Sequence, residues 1–161
     1  MLEPLAESSE IQSRTAPNDC SDGATSIRIE ARNHLPVPKD GGKNRQKRRR
    51  EWREHIIVCA SAAIAQAAGL GEYGSWLFTV DVEFYLDEGT KTDIDNLAKP
   101  VIDTLFKPGK KHLPNQDPAV TAKVFPHAED GQVRQLNLRK TLVRDKSDYG
   151  ATITVCWTVT E

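Results

Sequence analysis

The chain has few cysteines, few aromatic residues and no long apolar run. Its three cysteines, Cys20, Cys59 and Cys156, are far apart and form no CxxC pair, which argues against a zinc knuckle and a disulfide framework and predicts reduced thiols. The longest uncharged run, residues 56–71, is rich in alanine and too short to span a bilayer. The N-terminus carries acids where a secretory signal carries bases. We therefore expect a cytoplasmic protein without a membrane segment.

Charge is present in quantity and is segregated along the chain. The 161 residues are 28% charged with a formal net charge of −1, which suits a single domain. Residues 1–25 are acidic and poor in large apolar side chains, so we expect a disordered tail followed by one domain over residues 26–161. A basic segment at residues 43–53 precedes an acidic one at residues 81–103. This order suits a protein that binds a polyanion with one segment and cations with another.

The hydrophobic periods predict the secondary structure. Period-two alternation predicts strands near residues 27–31, 78–86, 120–124 and 153–159. Helical spacing predicts one helix from about Gln46 to Gly69 and another from about Asp95 to Phe106. The order of these elements predicts an α+β fold with a small mixed β-sheet and two main helices.

The basic segment is the first candidate site. Bases at the start of a helix oppose the helix dipole, so helix stability does not explain them. They could instead contact the phosphates of a nucleic acid. The simpler interpretation is a solvated helix start or a nuclear-import signal. The candidate DNA-binding residues are Lys43, Asn44, Arg45, Lys47, Arg48, Arg49 and Arg50.

A sharper motif lies between the second predicted strand and the second predicted helix. Asp93 and Asp95 flank Ile94, and in an extended chain their carboxylates would project to one side and share a hard cation. Asp95, Lys99 and Asp103 then follow at intervals of four residues on one helical stripe. The simpler interpretation makes one aspartate an N-cap and Asp95–Lys99 a surface ion pair. Asp117 is a candidate third carboxylate, in a loop that also carries several bases.

The run Asp-Ile-Asp-Asn-Leu-Ala-Lys-Pro-Val-Ile-Asp-Thr-Leu from residue 93, followed by Gln116-Asp117 and Val120, resembles the RusA-type Holliday-junction resolvases of bacteria and their phages. The resemblance spans roughly residues 26 to 160 and is most specific in the D-x-D-N-x-x-K core. It implies a small homodimeric endonuclease that requires Mg²⁺, for which Mn²⁺ can substitute. Such an enzyme nicks strands of opposite polarity at four-way DNA junctions in recombination and repair.

The resemblance also implies roles for individual residues. The catalytic and metal-binding aspartates correspond to Asp93, Asp95 and Asp117, and the catalytic lysine corresponds to Lys99. Asp103 corresponds to a family acid and is a candidate to orient Lys99 or a water without binding the metal. The chain departs from the family pattern at Gln116, where the family usually has aspartate, and residues 124–136 look like an insertion before Lys140.

Two other functions are open on the sequence alone. A non-catalytic or weakly active DNA-binding relative would keep the basic helix and lose efficient metal binding, which the missing acid at Gln116 favours. An unrelated structural domain would use the aspartates only as helix caps. The four histidines are scattered, which argues against a zinc or HNH site.

Overall fold

A computed structural model describes residues 25–38, 43–68, 76–107 and 123–158. Short 3₁₀ turns precede the last two strands, and within the described residues no helix is long and apolar enough to cross a membrane. The elements in chain order are β1 (Thr25–Arg32), α1 (Lys43–Cys59), α2 (Ser61–Ala68), β2 (Leu77–Leu86), α3 (Ile94–Leu105), β3 (Phe106–Lys107), β4 (Phe125–Glu129), β5 (Val133–Leu142) and β6 (Gly150–Thr158).

The main sheet has four strands in the order β1-β6-β2-β5. β6 pairs antiparallel with both β1 and β2, whereas β5 pairs parallel with β2. A second, two-stranded sheet pairs β3 with β4 in parallel. The predicted α+β class and the predicted mixed sheet are therefore confirmed.

The core lies between the helices and one face of the main sheet. Strand β2 alternates, and its even-numbered residues from Phe78 to Leu86 are all fully buried. Helix α3 buries Leu97, Val101 and Leu105, and α1 buries Trp52 and Ile56. Three phenylalanine rings, Phe78, Phe106 and Phe125, pack with centroids 5.0 to 5.4 Å apart and join the second sheet to the first. The layer of helices is thereby fixed against β2.

The opposite face of the main sheet carries polar pairs instead of helices. The Thr141 hydroxyl donates to Glu83 at 2.6 Å, and the Arg139 guanidinium lies 3.5 Å from the same carboxylate. The Arg32 guanidinium lies 3.7 Å from the centre of the Tyr85 ring. Pairs of this kind satisfy several of the partly buried polar groups on this face.

Several predicted boundaries are wrong. The helix predicted from Gln46 to Gly69 is divided at Ala60 into α1 and α2. Of the strand predicted at residues 120–124, Lys123 and Val124 precede β4, which begins at Phe125, and the rest lies outside the described residues. The predicted insertion at residues 124–136 contains β4 and the first part of β5, a strand that the sequence interpretation missed.

The structure also bears on the predictions about the thiols and the N-terminal tail. Cys156 is disulfide-bonded, so the prediction of a reduced thiol there is wrong. The spacing of cysteines along the chain does not show which of them the fold brings close together. Cys59 is a free thiol whose pKa is raised by burial. Thr25, assigned to the tail, begins β1, while residues 1–24 of the tail lie outside the described residues.

Gly150 provides a test of the β1–β6 pairing. Its φ is +137°, and a Cβ added there would lie 2.7 Å from the Arg32 Cα and closer still to the Ala31 carbonyl oxygen. We expect Gly150→Ala to lower the free energy of unfolding by about 2 kcal/mol or more, because neither the strain nor the clash can relax within a paired strand. Urea unfolding measures this change. Gly131→Ala is the control, since a Cβ there meets nothing within 4 Å.

Candidate functional site

The turn between β2 and α3 carries the two aspartates of the D-x-D motif. The Thr90 hydroxyl and main-chain N–H both donate to Asp87, which closes the turn locally. The Lys140 ammonium, on β5, donates to the Thr92 carbonyl at 3.1 Å. Thr92, the residue before Asp93, is therefore bonded to the edge strand β5, and the turn that leads to it is closed just after β2.

The two aspartates lie at the N-terminus of α3 rather than on an extended segment. Asp93 occupies the N-cap position with extended φ and ψ of −63° and 141°, but its side chain makes no cap hydrogen bond. Asp95 lies in the first turn of the helix, and its Oδ1 accepts from the Asn96 N–H at 3.0 Å. The expectation that both carboxylates project to one side of an extended segment is therefore wrong. Both side chains are exposed, and within the described residues neither forms an ion pair.

One turn further along α3, Lys99 and Asp103 form an ion pair. The Lys99 Nζ donates to the Asp103 Oδ1 at 2.8 Å, and the two side chains are 49% and 27% exposed. The simpler interpretation, in which Lys99 pairs with Asp95, is thus not the arrangement in the structure. One of the three N–H donors of Lys99 is used by Asp103, and two are left for a ligand.

The C-terminus of α3 is closed by the first residue of β3 and by two residues that precede β4. The last carbonyls of a helix lack intrahelical partners. Here the Ile102 carbonyl accepts from the Phe106 N–H, the Asp103 carbonyl from the Lys123 Nζ at 2.6 Å, and the Thr104 carbonyl from the Val124 N–H at 3.1 Å. Pro100 lies inside the helix without ending it, and its carbonyl accepts from the Thr104 hydroxyl.

Lys123 is the most buried cation of this region, with only 8% of its surface exposed. Burial lowers the pKa of its ammonium below the usual range, and the positive charges of Arg53 and Lys99 lower it further, against the opposing carboxylate of Asp103. Arg53 belongs to α1, which packs against α3. Lys99 and Lys123 therefore both bind Asp103, and the charge of Arg53 acts on Lys123 from α1.

Helix α1 places its bases on two different sides. Arg45, Arg49 and Arg53 recur every four residues and form one stripe, which flanks the face on which Trp52 and Ile56 are buried. Arg49 and Arg53 are accordingly half-buried. The other described bases of the predicted run are exposed, namely Arg45, Lys47, Arg48 and Arg50; the Lys43 and Asn44 side chains lie outside the described part of the helix.

The structure places Asp95, Lys99 and Asp103 on α3 and Asp93 at its N-cap, whereas Arg49 of the basic helix donates to the Pro38 carbonyl at 3.5 Å. Asp117 and Gln116 lie outside the described residues. Among the described residues no group of three or more histidine, cysteine or acidic side chains is placed to hold a metal ion. Two carboxylates nevertheless fit Mg²⁺, which proteins commonly hold through one or two carboxylates together with waters and substrate phosphates.

Two cations of the candidate site were not among the candidate residues of the sequence interpretation, although Arg53 ends its basic segment; they are Arg53 and Lys123. Arg53 stands within a helix assigned to the core through Trp52. Lys123 stands in a segment predicted to be a strand. A four-residue repeat from Arg45 would have selected Arg53, whereas no local pattern points to Lys123.

No protein-family model matches the chain, and no curated protein matches it either. The resemblance to the resolvases therefore stays a prediction that rests on the motif residues themselves.

The absence of a side-chain cap at Asp93 can be tested by measuring the stability of a variant. A working N-cap contributes about 1 kcal/mol to a helix, whereas Asp93 makes no cap hydrogen bond. We expect Asp93→Ala to change the free energy of unfolding by about 0.5 kcal/mol or less at high salt, where attraction to the helix dipole is screened. Chemical denaturation measures this value. A loss of about 1 kcal/mol or more would identify Asp93 as a structural cap.

Proposed function

We propose that this chain is a divalent-metal-dependent endonuclease that nicks four-way DNA junctions in recombination and repair. The observation that carries the proposal is the start of α3, where Asp93 and Asp95 present exposed carboxylates that are in no ion pair among the described residues, one turn before Lys99. Carboxylates left accessible in this way suit metal binding better than a structural role. A DNA substrate of this kind implies a cytoplasmic protein.

Within this proposal, Asp93, Asp95 and Asp117 hold Mg²⁺ or Mn²⁺ against the phosphate. The bound ion supplies Lewis-acid activation of the phosphate and of the attacking water. Attack of water forms a new P–O bond in line with the bond to the 3′ oxygen, which breaks. The two remaining N–H donors of Lys99 stabilise the charge that develops on the phosphate. Asp103 orients Lys99 through the 2.8 Å hydrogen bond and does not contact the substrate.

Chain length supports the inclusion of Asp117. Lys123 and Val124 are tied to the end of α3, and six residues of extended chain reach at most about 20 Å. Eight residues of helix, the separation from Asp95 to Asp103, span about 12 Å. Six residues of chain are therefore enough to connect Lys123, bound at Asp103, with an Asp117 located beside Asp95.

The test of the proposal is cleavage of a synthetic four-way junction with and without Mg²⁺. We expect paired nicks with either Mg²⁺ or Mn²⁺ and none in a chelator. Asp93→Asn, Asp95→Asn and Asp117→Asn should each abolish cleavage while junction binding persists, because each keeps the size of a ligand and removes its charge. An intact junction after prolonged incubation of the wild type with either metal would reject the nuclease.

The ligand set is tested by two further variants. Asp103→Asn should cost less than Asp95→Asn, because a residue that only orients Lys99 acts indirectly. Gln116→Asp should leave activity equal or raise it, most visibly at low Mg²⁺. If Asp117→Asn cleaves normally and Asp103→Asn is inactive, the third ligand is Asp103 and not Asp117.

We also expect a homodimer, since paired nicks on a two-fold symmetric junction require two active sites related by the same symmetry. Light scattering of the free protein and of its DNA complex measures this. A monomer in both states would contradict the prediction.

A second candidate function is a DNA-binding protein without efficient cleavage. It is favoured by the presence of only two carboxylates at the described start of α3 and by Gln116 in place of an acid. The same experiment separates the candidates, because this protein would bind the junction at all metal concentrations and leave it intact.

A further inference from the structure

We propose that Cys20 is the disulfide partner of Cys156, and that their bond is a redox-dependent tether between the acidic N-terminal segment and the main sheet. The tether lies on the face of the sheet that carries the polar cross-strand pairs, called here the open face. The proposed function gives neither cysteine a role, and the inference does not depend on that function.

The chain contains only three cysteines, which limits the possible partners of Cys156. Cys156 is disulfide-bonded, whereas Cys59 is a free thiol. Cys20 is the one cysteine of the sequence that remains, and it lies outside the described residues. A disulfide formed within this chain therefore joins Cys156 to Cys20.

The fold places Cys59 and Cys156 on different sides of the sheet. Cys59 ends α1, in the helix layer, and its sulfur lies 3.6 Å from the His55 Nε2. Cys156 lies on the central strand β6 between Val155 and Trp157, whose side chains are buried in the core. Because successive side chains of a strand point to opposite faces, Cys156 points to the open face. The sheet therefore separates the two sulfurs.

The route of the chain brings Cys20 within reach of Cys156. Ser26 is the partner of Cys156 in the antiparallel β1–β6 pairing, and β1 begins at Thr25. The Cα atoms of such partners lie about 5 Å apart, and those of a disulfide about 5.5 to 6 Å apart. The six residues from Ser26 back to Cys20 reach at most about 20 Å when extended. This length allows the chain to turn back and place Cys20 over Cys156.

The exposure of the open face changes along β6 as this attachment requires. Thr152 and Thr154 are half-buried, whereas Cys156 is only 3% exposed. Thr79, its partner on β2, is 9% exposed, although the described helices pack on the other face. Ser26 on β1 is exposed. The cover is therefore local to Cys156, where a bonded cysteine from the N-terminal segment would lie.

Formation of the tether is a two-electron oxidation, for which the oxidant is a low-molecular-weight disulfide of the glutathione class. One cysteine thiolate attacks a sulfur of the oxidant, whose S–S bond breaks and releases a first glutathione. The second cysteine thiolate attacks the resulting mixed disulfide and releases the other glutathione. Two protein thiols are thereby oxidised, and the oxidant is reduced to two glutathione molecules, which take up the two thiol protons. Reduced glutathione reverses both exchanges, so the tether depends on redox conditions.

Peptide mapping tests the pairing, because trypsin places each cysteine in a different peptide. Cleavage after lysine and arginine gives residues 15–28 with Cys20, 54–91 with Cys59 and 147–161 with Cys156. The full-length protein is equilibrated with oxidised glutathione, its free thiols are alkylated, and it is digested without reductant. We expect mass spectrometry to find residues 15–28 joined to 147–161, and residues 54–91 alkylated. A non-reducing gel of the undigested protein should show a single-chain species.

Several results of this mapping would overturn the pairing. They are Cys156 alkylated, Cys156 joined to Cys59, Cys156 carrying glutathione alone, and a cross-linked dimer as the main species on the gel.

Thermal melts test whether the bond acts as a tether. We expect a reductant to lower the melting midpoint of the wild type by about 5 °C or more, because the disulfide closes a long loop in the unfolded chain. Cys20→Ser should melt like the reduced wild type and should not respond to the reductant. Cys59→Ser is the matched control and should respond as the wild type does. Cys20→Ser is preferred to Cys156→Ser because it leaves β6 unchanged.

Equal midpoints of the oxidised and reduced wild type would overturn the tether, as would a Cys20→Ser variant that still responds to the reductant. Neither the mapping nor the melts involve DNA or a metal ion, so their results are independent of the outcome for the nuclease.

Discussion

The pairing of β2 on both of its edges is the constraint on which the rest of the structure depends. Hydrogen bonds to β6 and β5 fix the register of β2, and that register puts its five alternate apolar residues under the helices. A shift of one residue would turn these five side chains away from the helices and bury their neighbours, Asp81 and Glu83 among them. Because α3 follows β2 after a short turn, the position of Asp93 is a consequence of this register.

The edge strand β5 contributes to the site as well as to the sheet. It lies parallel to β2 with Lys140 opposite Phe84, on the side that the helices cover. From there Lys140 reaches the Thr92 carbonyl and fixes the turn before Asp93. The same strand supports the other face through Arg139, which lies 3.6 Å from Asp81. A segment that the family resemblance treats as an insertion thus leads into the strand that helps to hold the D-x-D motif.

Sequence periodicity was sufficient where one face of an element is strongly buried. β2 and β6 alternate cleanly, and α3 carries an apolar arc, so each was predicted within a few residues of its bounds. β5 was missed because it is an edge strand, in which Leu136 and Leu142 remain 40% and 54% exposed and bases interrupt the alternation. The division at Ala60 was missed because alanine favours a continuous helix, and the Ala60 N–H and carbonyl still bond to the Ile56 carbonyl and the Ile64 N–H.

The site was predictable only where its residues are close in sequence. Asp93, Asp95, Lys99 and Asp103 belong to one turn and one helix, so spacing alone assembled them. Arg53 and Lys123 reach the same place through the packing of α1 on α3 and through the closing of the helix end. The four-residue repeat from Arg45 marks Arg53 but not the helix that it packs against, and no local pattern marks Lys123, since each interaction joins residues far apart in the chain.

The two ends of α3 differ in how their polar groups are satisfied, and the difference bears on function. At the C-terminus, three carbonyls find donors, one of them a buried ammonium whose desolvation opposes its charge. At the N-terminus, Asp93 stands in the cap position without using its side chain, which forgoes a contribution of about 1 kcal/mol. An aspartate present for helix stability would make that hydrogen bond. The cap that is left unmade keeps the Asp93 carboxylate accessible, as its proposed role in metal binding requires.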